Sequence, residues 1–217
     1  MAYDFNGGNQ YLSTASAPVT SWPLTMACWF NVVNVTTQYV LMCVGKLNEN
    51  ERFILQAAGH VAGDPVATNY IESGGTSYRA DSTTGFSANT WSHACAVHAS
   101  ASSRTAYLNA GSVGTNTGFA TLSNTGINAV LIGAQSNISH PAQSYTSGLI
   151  AEVGIWNVAL TADEIASLAK GMTCDKVRPQ SLVFYTPLVR NLQDLSRGLT
   201  ITNNNTATVA NHPRVYA

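Results

Sequence analysis

The stretch GLIAEVGIWNVALTADEIASLAKG, residues 148–171, decides the fold of this chain. Its first half predicts a core β-strand, because apolar residues alternate there with a mixed set. One face of that strand would carry Leu149, Ala151, Val153 and Ile155, and the other would carry Ile150, Glu152, Gly154 and Trp156. A strand with one wholly apolar face packs that face against another layer of structure.

The second half of the stretch predicts a short capped helix near residues 161–170. Thr161 is followed three positions later by Glu164, a spacing in which each side chain satisfies a free backbone N–H of the other residue. An apolar stripe that begins at Ile165 gives the helix a face to bury. Gly171 supplies the left-handed residue that commonly ends a helix.

These residues resemble the closing strand and helix of laminin-G-like domains, members of the concanavalin A-like lectin/glucanase superfamily. The positions that match the family's pattern are Gly148, Ile150, Glu152, Val153, Ile155, Trp156, Asn157, Ala159, Leu160, Thr161, Glu164 and Ile165. The sequence departs from the pattern at Ala151, where the family usually has Asp. Weaker matches precede it in the family's order, at LTMACWF (24–30), TWSHACAV (90–97), AYLNAG (106–111) and VLIG (130–133).

The resemblance and about a dozen short strand signals predict an all-β chain. We expect a two-sheet antiparallel jelly-roll sandwich of the concanavalin A-like type with one short helix. Residues 1–217 are expected to form a single laminin-G-like domain, in which residues 172–217 complete the sandwich and form a C-terminal tail. Residues 118–122 are predicted to be a strand and residues 137–147 a polar loop.

The composition excludes several kinds of partner. Only 10% of the residues are charged and the net charge is −1, against about 25% charged in a typical soluble domain. Nucleic-acid binding needs clustered Lys and Arg, and no basic run exists here. No apolar stretch approaches the ~20 residues of a membrane helix. The first residues have neither a basic nor an apolar segment, so we expect no secretory leader.

The cysteines predict neither a zinc site nor a catalytic site. Cys28, Cys43, Cys95 and Cys174 lack the CxxC spacing of zinc ligands. Two of them alternate with apolar residues in predicted strands, which favours small buried thiols. Their thiol or disulfide state is not fixed by the sequence, and free thiols are the preferred interpretation.

The sequence also argues against hydrolysis of glycans. Glucanases of the resembled superfamily carry clustered acids of the type E-x-D-x-E on one strand, and this chain has no such triplet. Glu49 and Glu51 form the closest pair and are interpreted as a solvated hairpin tip. Glu152 is expected to be structural. His93 is expected in the core, facing the opposite side of its strand from His98.

Calcium is the cofactor that the resemblance implies, and the residues disfavour it. Related domains tend to supply ligands from an early Asp-Gly turn and from the Asp of the closing strand. Here Asn6 and Ala151 stand at those places, which leaves Asp4 with the amides of Asn6 and Asn9 as a weak ligand set. Ca²⁺ takes six to eight oxygens, usually with carboxylates among them, so we expect no tight calcium site.

A glycan ligand would need exposed aromatic rings beside polar groups. Trp22, Tyr70, Tyr78 and Tyr145 are the candidates, because they lie in or beside polar loops. The alternative is that these aromatics pack against their own loops. Trp29, Trp91 and Trp156 are expected in the core.

Three functions follow as hypotheses. The first is a non-enzymatic structural or decoration protein on the surface of a phage virion, as the resemblance to short stand-alone laminin-G-like chains of tailed phages implies. Its partners would be copies of itself or capsid proteins, with residues 212–217 contributing to assembly. The second is a carbohydrate-binding module for attachment to a host surface or glycan. The third, a glycoside hydrolase, is disfavoured by the missing acid triplet.

Overall fold

The computed structural model describes residues 2–123 and 126–216 and confirms an all-β sandwich with one short α-helix within those residues. Two large antiparallel sheets face each other, and a small two-stranded sheet packs on the outward side of one of them. Among the described residues, no helix is both long and apolar enough to cross a membrane.

The strands follow one another along the whole chain. In chain order they are β1 (Ala2–Asn6), β2 (Tyr11–Thr14), β3 (Leu24–Val32), β4 (Gln38–Gly45), β5 (Arg52–Ala58), β6 (Pro65–Ile71), β7 (Ser77–Gly85), β8 (Ser92–Ser100), β9 (Ser103–Leu108), β10 (Ser112–Asn116), β11 (Ala129–Ile132), β12 (Gln135–Asn137), β13 (His140–Gln143), β14 (Ser147–Trp156), β15 (Leu182–Thr186), β16 (Ile201–Asn204) and β17 (Thr208–Ala210). Sheet I has the order β10-β9-β8-β3-β14-β1-β17, with β15 also paired to β14. Sheet II has the order β16-β2-β11-β4-β5-β6-β7, and β12 pairs with β13 in the small sheet.

The main core lies between sheets I and II. Its largest fully buried side chains include Phe5, Phe30, Phe53 and Phe184. Along a strand the side chains alternate between faces, so the outward face of each sheet needs its own cover. On sheet I that cover is the helix, and on sheet II it includes Ala142 of the small sheet.

The helix α1 (Ala162–Ala169) has the predicted capping pair. The backbone N–H of Thr161 donates to Glu164 Oε2 at 2.7 Å, and the N–H of Glu164 donates to Thr161 Oγ1 at 3.3 Å. Ile165 is fully buried against the outward side of sheet I. Gly171, at φ +100°, ends the helical segment as predicted.

Strand β14 departs from the regular alternation predicted for it. A bulge between Ala151 and Gly154 places Glu152 at φ +51° and shifts the phase of the strand. As a result Ile150 shares the inward face with Val153, although the sequence placed them on opposite faces. A bulge inserts one extra residue into a strand and so exchanges the faces of the residues beyond it.

Two further local predictions are wrong. Residues 118–122 are an irregular segment rather than a strand, and residues 137–147 include β13 and the starts and ends of two other strands. The reason for the first difference is that β9 pairs with residues 112–116 instead, which leaves residues 118–122 outside sheet I.

The C-terminal part of the chain returns to the body of the protein. β15 pairs with β14, β16 with β2, and β17 with β1. Beyond β17, Tyr216 forms an isolated bridge with Met172, so the described end of the tail lies against the segment that follows α1.

All four cysteines are buried and unpaired. Burial raises the pKa of the Cys43 thiol to about 11 and raises those of the other three further. The thiols are therefore protonated at neutral pH, which is consistent with small core residues.

Candidate functional site

Three of the four sequence-predicted aromatic candidates meet at one end of the sandwich. Tyr70 of β6 and Tyr78 of β7 are direct cross-strand partners. The ring of Trp22 lies 5.4 Å from that of Tyr70, nearly perpendicular to it, and 6.2 Å from that of Phe53. Edge-to-face contacts of this kind stabilise an aromatic cluster beyond its buried area. We call this region the aromatic edge and define it by Trp22, Tyr70, Tyr78 and the segment 116–123 beside them.

Tyr70 is not the exposed aromatic that was predicted. It is 0% exposed and belongs to the main core. Its hydroxyl donates to Glu51 Oε1 at 2.9 Å and lies 3.1 Å from the carbonyl oxygen of Thr121. Burial, followed by the hydrogen bond to Glu51, raises the pKa of Tyr70. Tyr70 therefore supports the site from below and cannot itself contact a ligand.

Glu51 corrects a second prediction. The polar run around it suggested a solvated hairpin tip, yet Glu51 is only 1% exposed. Its Oε1 accepts from the Tyr70 hydroxyl and from the backbone N–H of Ser123 at 2.8 Å. Its neighbour Glu49 does lie near the surface, where it pairs with Lys46 at 3.5 Å. The difference arises because Glu49 lies in the turn, whereas Glu51 directly precedes β5 and is covered by the segment 116–123, from whose Ser123 N–H it accepts.

Glu72 holds the same segment from the other side. Its Oε1 accepts from the backbone N–H of Thr121 at 2.6 Å, and the hydroxyls of Ser73 and Ser123 lie 2.8 Å apart. Unlike Glu51, Glu72 is partly exposed. One carboxylate below the segment and one at the surface together fix the path of residues 121–123.

Arg104 fixes the first part of the segment. It is 1% exposed, and its guanidinium donates to Asn116 Oδ1 at 2.5 Å, to the Gly118 carbonyl at 2.9 Å and to the Ala101 carbonyl at 2.6 Å. The same group lies 5.0 Å from the centre of the Tyr78 ring, within the range of a cation–π contact. Arg104 therefore locks the loop onto Tyr78.

The result is an aromatic side chain held out into solvent on a fixed loop. Phe119 is 72% exposed. The residue before it offers its carbonyl to Arg104, and the residue after it, Ala120, donates its N–H to the carbonyl of Ala101 at 2.8 Å. A Cβ on Gly118 would lie 3.2 Å from the Tyr78 ring, so the loop packs closely there. Trp22 and Tyr78 are themselves half-buried.

Tyr145, the fourth candidate, lies elsewhere. Its ring is 6.1 Å from that of Tyr11 and packs on the outward side of sheet II. Its hydroxyl donates to the Ala142 carbonyl at 2.9 Å, so it packs against its own loop. Of the three tryptophans predicted in the core, Trp156 is fully buried, whereas Trp29 and Trp91 are only half-buried because their side chains lie on outward faces.

The residues suggested as weak calcium ligands form a hydrogen-bonded turn. Asn6 Oδ1 already accepts from the backbone N–H groups of Gly8 at 2.9 Å and Asn9 at 3.2 Å, and Asn6 Nδ2 donates to Asn9 Oδ1 at 3.3 Å. Asp4 is exposed and contributes the one carboxylate. Within residues 2–123 and 126–216 no group of three or more His, Cys, Asp or Glu is arranged to hold a metal ion.

Glu152 is a buried carboxylate with a structural environment. Its Oε2 accepts from the Tyr185 hydroxyl at 2.7 Å, and its Oε1 lies 3.1 Å from His212 Nε2. The other ring nitrogen of His212 lies 2.8 Å from the Pro213 carbonyl. The contact between His212 and Glu152 therefore ties the tail to β14.

Both strand histidines are buried, on opposite sides of sheet I as predicted. His98 Nε2 lies 2.8 Å from Thr68 Oγ1 in the interior, whereas the His93 ring packs against Trp29 outside. Burial lowers the pKa of each imidazole to about 3. Both are therefore neutral at physiological pH.

Sequence reasoning missed Glu72, Arg104 and Phe119. Glu72 lies beside a hairpin signal and Arg104 beside a predicted strand. Neither residue belongs to a sequence motif that would mark it as part of a binding site. Phe119 falls in the segment predicted as a strand, where it would have been a core residue. Its exposure depends on hydrogen bonds made by residues distant in sequence, which no local pattern reports.

Comparison with known proteins gives the family. A family model described as the concanavalin A-like lectin/glucanases superfamily matches residues 6–166. No curated protein sequence matches the chain.

Solved structures share the fold at low sequence identity. A heptameric SAP-like pentraxin from Limulus polyphemus superimposes with a TM-score of 0.71 at 14% identity, covering 97% of this chain and 94% of that one. The CBM40 of a Ruminococcus gnavus IT-sialidase, bound to α2,3-sialyllactose, gives 0.60 at 13% identity over 78% of this chain and 98% of that one. Domain 4 of a Geobacillus stearothermophilus GH43 extracellular arabinanase, in complex with arabinotriose, gives a TM-score of 0.60 at 19% identity, covering 77% of this chain and 76% of that one. The family match over residues 6–166 establishes that the chain belongs to the concanavalin A-like lectin/glucanase superfamily.

Proposed function

We propose that this protein is a non-catalytic carbohydrate-binding protein and that the aromatic edge is its binding site. The observation that carries the proposal is Phe119, an aromatic side chain 72% exposed on a loop that buried groups hold in place. Exposed apolar patches that are rimmed by polar residues often mark a binding surface. Half-buried Trp22 and Tyr78 and the partly exposed Glu72 lie in the same region.

The chemistry of the region suits a sugar. Pyranose rings present C–H faces, which pack against aromatic rings, and hydroxyl edges, which hydrogen-bond to carboxylates and hydroxyls. The aromatic edge offers both kinds of group, with Glu72, Ser73 and Ser123 as its polar members. Small-molecule sites combine apolar walls with a few well-placed polar groups in this way.

The rigidity of the loop also supports binding. Ordering a loop when ligand binds costs free energy, so a loop that is already ordered binds more tightly. Here Arg104, Glu72 and Glu51 each hydrogen-bond to the segment that presents Phe119. Two proteins of the same fold were solved with sialyllactose and arabinotriose bound. The shared fold therefore also supports the proposal of glycan binding.

The absence of catalysis is part of the proposal. A hydrolase of this type needs two carboxylates that reach the glycosidic bond. Glu51 holds the same segment as Glu72, and at 1% exposure it cannot touch a substrate. Cys174 lies near Glu152, but burial keeps the pKa of its thiol raised and the thiol protonated. Release of reducing sugar from any β-glucan would overturn this part.

We further propose that binding needs no tight calcium. The amide oxygen of Asn6 accepts hydrogen bonds within its own turn, and the methyl side chain of Ala151 cannot ligate a metal ion. The melting temperature should therefore be the same in excess Ca²⁺ and in EDTA. A rise of more than a few degrees with Ca²⁺ would contradict this.

A glycan array tests the main proposal. The wild type and two variants, Phe119→Ala and Ile138→Ala, would be applied side by side. Ile138 is a matched control because it is also an exposed apolar residue, at 63%, on the β12–β13 turn. We expect the wild type and Ile138→Ala to bind the same glycans and Phe119→Ala to lose the signal. An array without any hit for the wild type would refute glycan binding.

For the biological setting we propose a structural or decoration role on the surface of a phage virion, with capsid proteins or further copies of the chain as partners. The low charge and the many Ser, Thr and Asn residues suit a passive exposed shell, and the resemblance to stand-alone laminin-G-like chains supports it. Mass spectrometry of purified particles from the source tests the role. A copy number near that of a capsid protein would support it, and absence of the chain would exclude it.

A further inference from the structure

A cleft separate from the aromatic edge lies on the outward side of sheet I. A cleft of about 560 Å³ opens between α1, the short 3₁₀ turn Cys174–Lys176 and the end of the tail. Ser167, Lys170, Met172, Lys176 and Tyr216 line it, and we call it the lysine cleft. Its volume lies within the range of small-molecule sites, about 300–1,000 Å³.

Backbone hydrogen bonds fix the walls of this cleft. The N–H of Thr173 donates to the Tyr216 carbonyl at 3.2 Å, and the N–H of Tyr216 donates to the Gly171 carbonyl at 2.5 Å. Gly171 makes this approach possible, because a Cβ there would lie 3.0 Å from the Arg214 carbonyl and 3.2 Å from the Tyr216 ring. The tail is therefore seated against the end of the helix, and the cleft exists before any ligand arrives.

The floor is anchored to the core as well. Cys174 is buried, and the indole N–H of Trp156 donates to the Val177 carbonyl at 2.8 Å. These contacts fix the 3₁₀ turn that carries Lys176. Three separate parts of the chain thus hold the backbone that carries the lining side chains.

The lining combines apolar surface with positive charge. Met172 contributes an adaptable thioether and Tyr216 an aromatic face, both largely exposed at 42% and 66%. The chain has only three lysines, at positions 46, 170 and 176, and two of them line this one cleft. No acidic side chain lines the cleft in the described part of the chain.

The two lysines are available to a ligand. Lys176 pairs with Asp175 at 3.3 Å, but both groups are about half exposed, and exposed pairs of this kind contribute little free energy. Lys170 forms no ion pair with any residue between 2 and 123 or between 126 and 216. Apolar walls flanked by two ammonium groups complement a molecule with an apolar body and one negative head.

We propose that the lysine cleft binds small amphipathic anions, of which a medium-chain carboxylate is the simplest. The apolar chain would lie against Met172 and Tyr216, and the carboxylate would lie between the ammonium groups of Lys170 and Lys176. The site is on the opposite layer of the sandwich from sheet II and is separate from the aromatic edge, so it would act independently of glycan binding.

Isothermal titration with decanoate tests this proposal on the full-length protein. Decanol and decyltrimethylammonium provide the neutral and cationic comparisons with the same chain. We expect saturable binding of decanoate alone, weakened about tenfold or more in the double variant Lys170→Gln/Lys176→Gln. Lys46→Gln, the matched control at the remaining lysine, should bind decanoate as the wild type does.

A second measurement tests whether decanoate binds in the lysine cleft. Labelled methionine methyl groups report on the cleft, because Met172 lines it whereas Met26 and Met42 are fully buried in the main core. Decanoate should shift the Met172 resonance and leave those of Met26 and Met42 unchanged. The proposal is overturned if the wild type shows no saturable binding, if the double variant binds equally well, if the cationic amphiphile binds as tightly, or if Met172 does not respond.

Discussion

Replacement of Tyr70 by Phe removes one hydroxyl from the buried side of the aromatic edge and nothing else. That hydroxyl donates to Glu51 Oε1 at 2.9 Å, and both residues are essentially inaccessible to solvent. After the change, Glu51 Oε1 retains only the N–H of Ser123 within the described residues. The buried carboxylate thus loses one of the two donors that compensate for its desolvation.

The size of the effect follows from the charge of the acceptor. Hydrogen bonds to charged groups contribute about 1.5–3 kcal/mol to stability, against about 0.5–1.5 kcal/mol for neutral pairs. We therefore expect Tyr70→Phe to lower the free energy of unfolding by about 1.5–3 kcal/mol. In the background of Glu51→Gln the same change should cost only the neutral value, so the two substitutions should be coupled by about 1–1.5 kcal/mol.

Urea unfolding of the four proteins in this double-mutant cycle measures the coupling, and Tyr107→Phe is the control. Tyr107 is half-buried and its hydroxyl donates to no described residue, so its loss should change stability by less than about 0.5 kcal/mol. A Tyr70→Phe cost no larger than that of the control, or a coupling near zero, would refute the account of Glu51 as a buried carboxylate that Tyr70 stabilises.

Further predictions concern acid stability, backbone geometry and the tail. Burial lowers the pKa of both strand imidazoles, His93 and His98, to about 3, well below the unfolded value of about 6.5. The free energy of unfolding should therefore be highest above about pH 6.5. Between that pH and pH 3 it should fall by up to about 1.4 kcal/mol per pH unit for each histidine. Urea midpoints from pH 7 to pH 4 check this, and a profile unchanged in slope by His98→Gln would count against it. Gly148→Ala should lower the melting temperature severely, because φ is +132° and a Cβ would lie 2.2 Å from the Asn31 carbonyl oxygen. Gly74→Ala is the control and should be tolerated, because a Cβ there would meet nothing within 4 Å. Similar melting temperatures for the two variants would contradict the register of β14. His212→Ala should lower the free energy of unfolding by about 1–3 kcal/mol, because it removes the side-chain nitrogen that faces the buried Glu152 carboxylate. Unchanged urea unfolding would show that the tail is not tied down there.

The sequence predicts best where the signal is local. The capping pair at Thr161 and Glu164 and the glycine stop at Gly171 depend on spacings of a few residues, and the structure has all three. The bulge at Glu152 depends instead on how β14 pairs with β3 on one side and β15 on the other. Alternation within one strand carries no information about such pairing.

The candidate site shows the same division. Trp22, Tyr70 and Tyr78 could be singled out by residue type, but the burial of Tyr70 follows from contacts with Trp22 and Phe53, which are distant in sequence. Glu51 looked solvated because its neighbours are polar, and its partner Ser123 lies 72 positions away. Which aromatic is exposed therefore depends on tertiary contacts, and Phe119 was found only in the structure.

The most direct test of the central claim is a calorimetric titration of the best glycan from the array into wild type, Phe119→Ala and Ile138→Ala. The account predicts that Phe119→Ala weakens binding about tenfold or more, a loss of about 1.4 kcal/mol, with an unchanged melting temperature because the side chain is 72% exposed. Ile138→Ala should bind as the wild type does. Equal affinity of Phe119→Ala and the wild type would contradict the placement of the binding site at the aromatic edge.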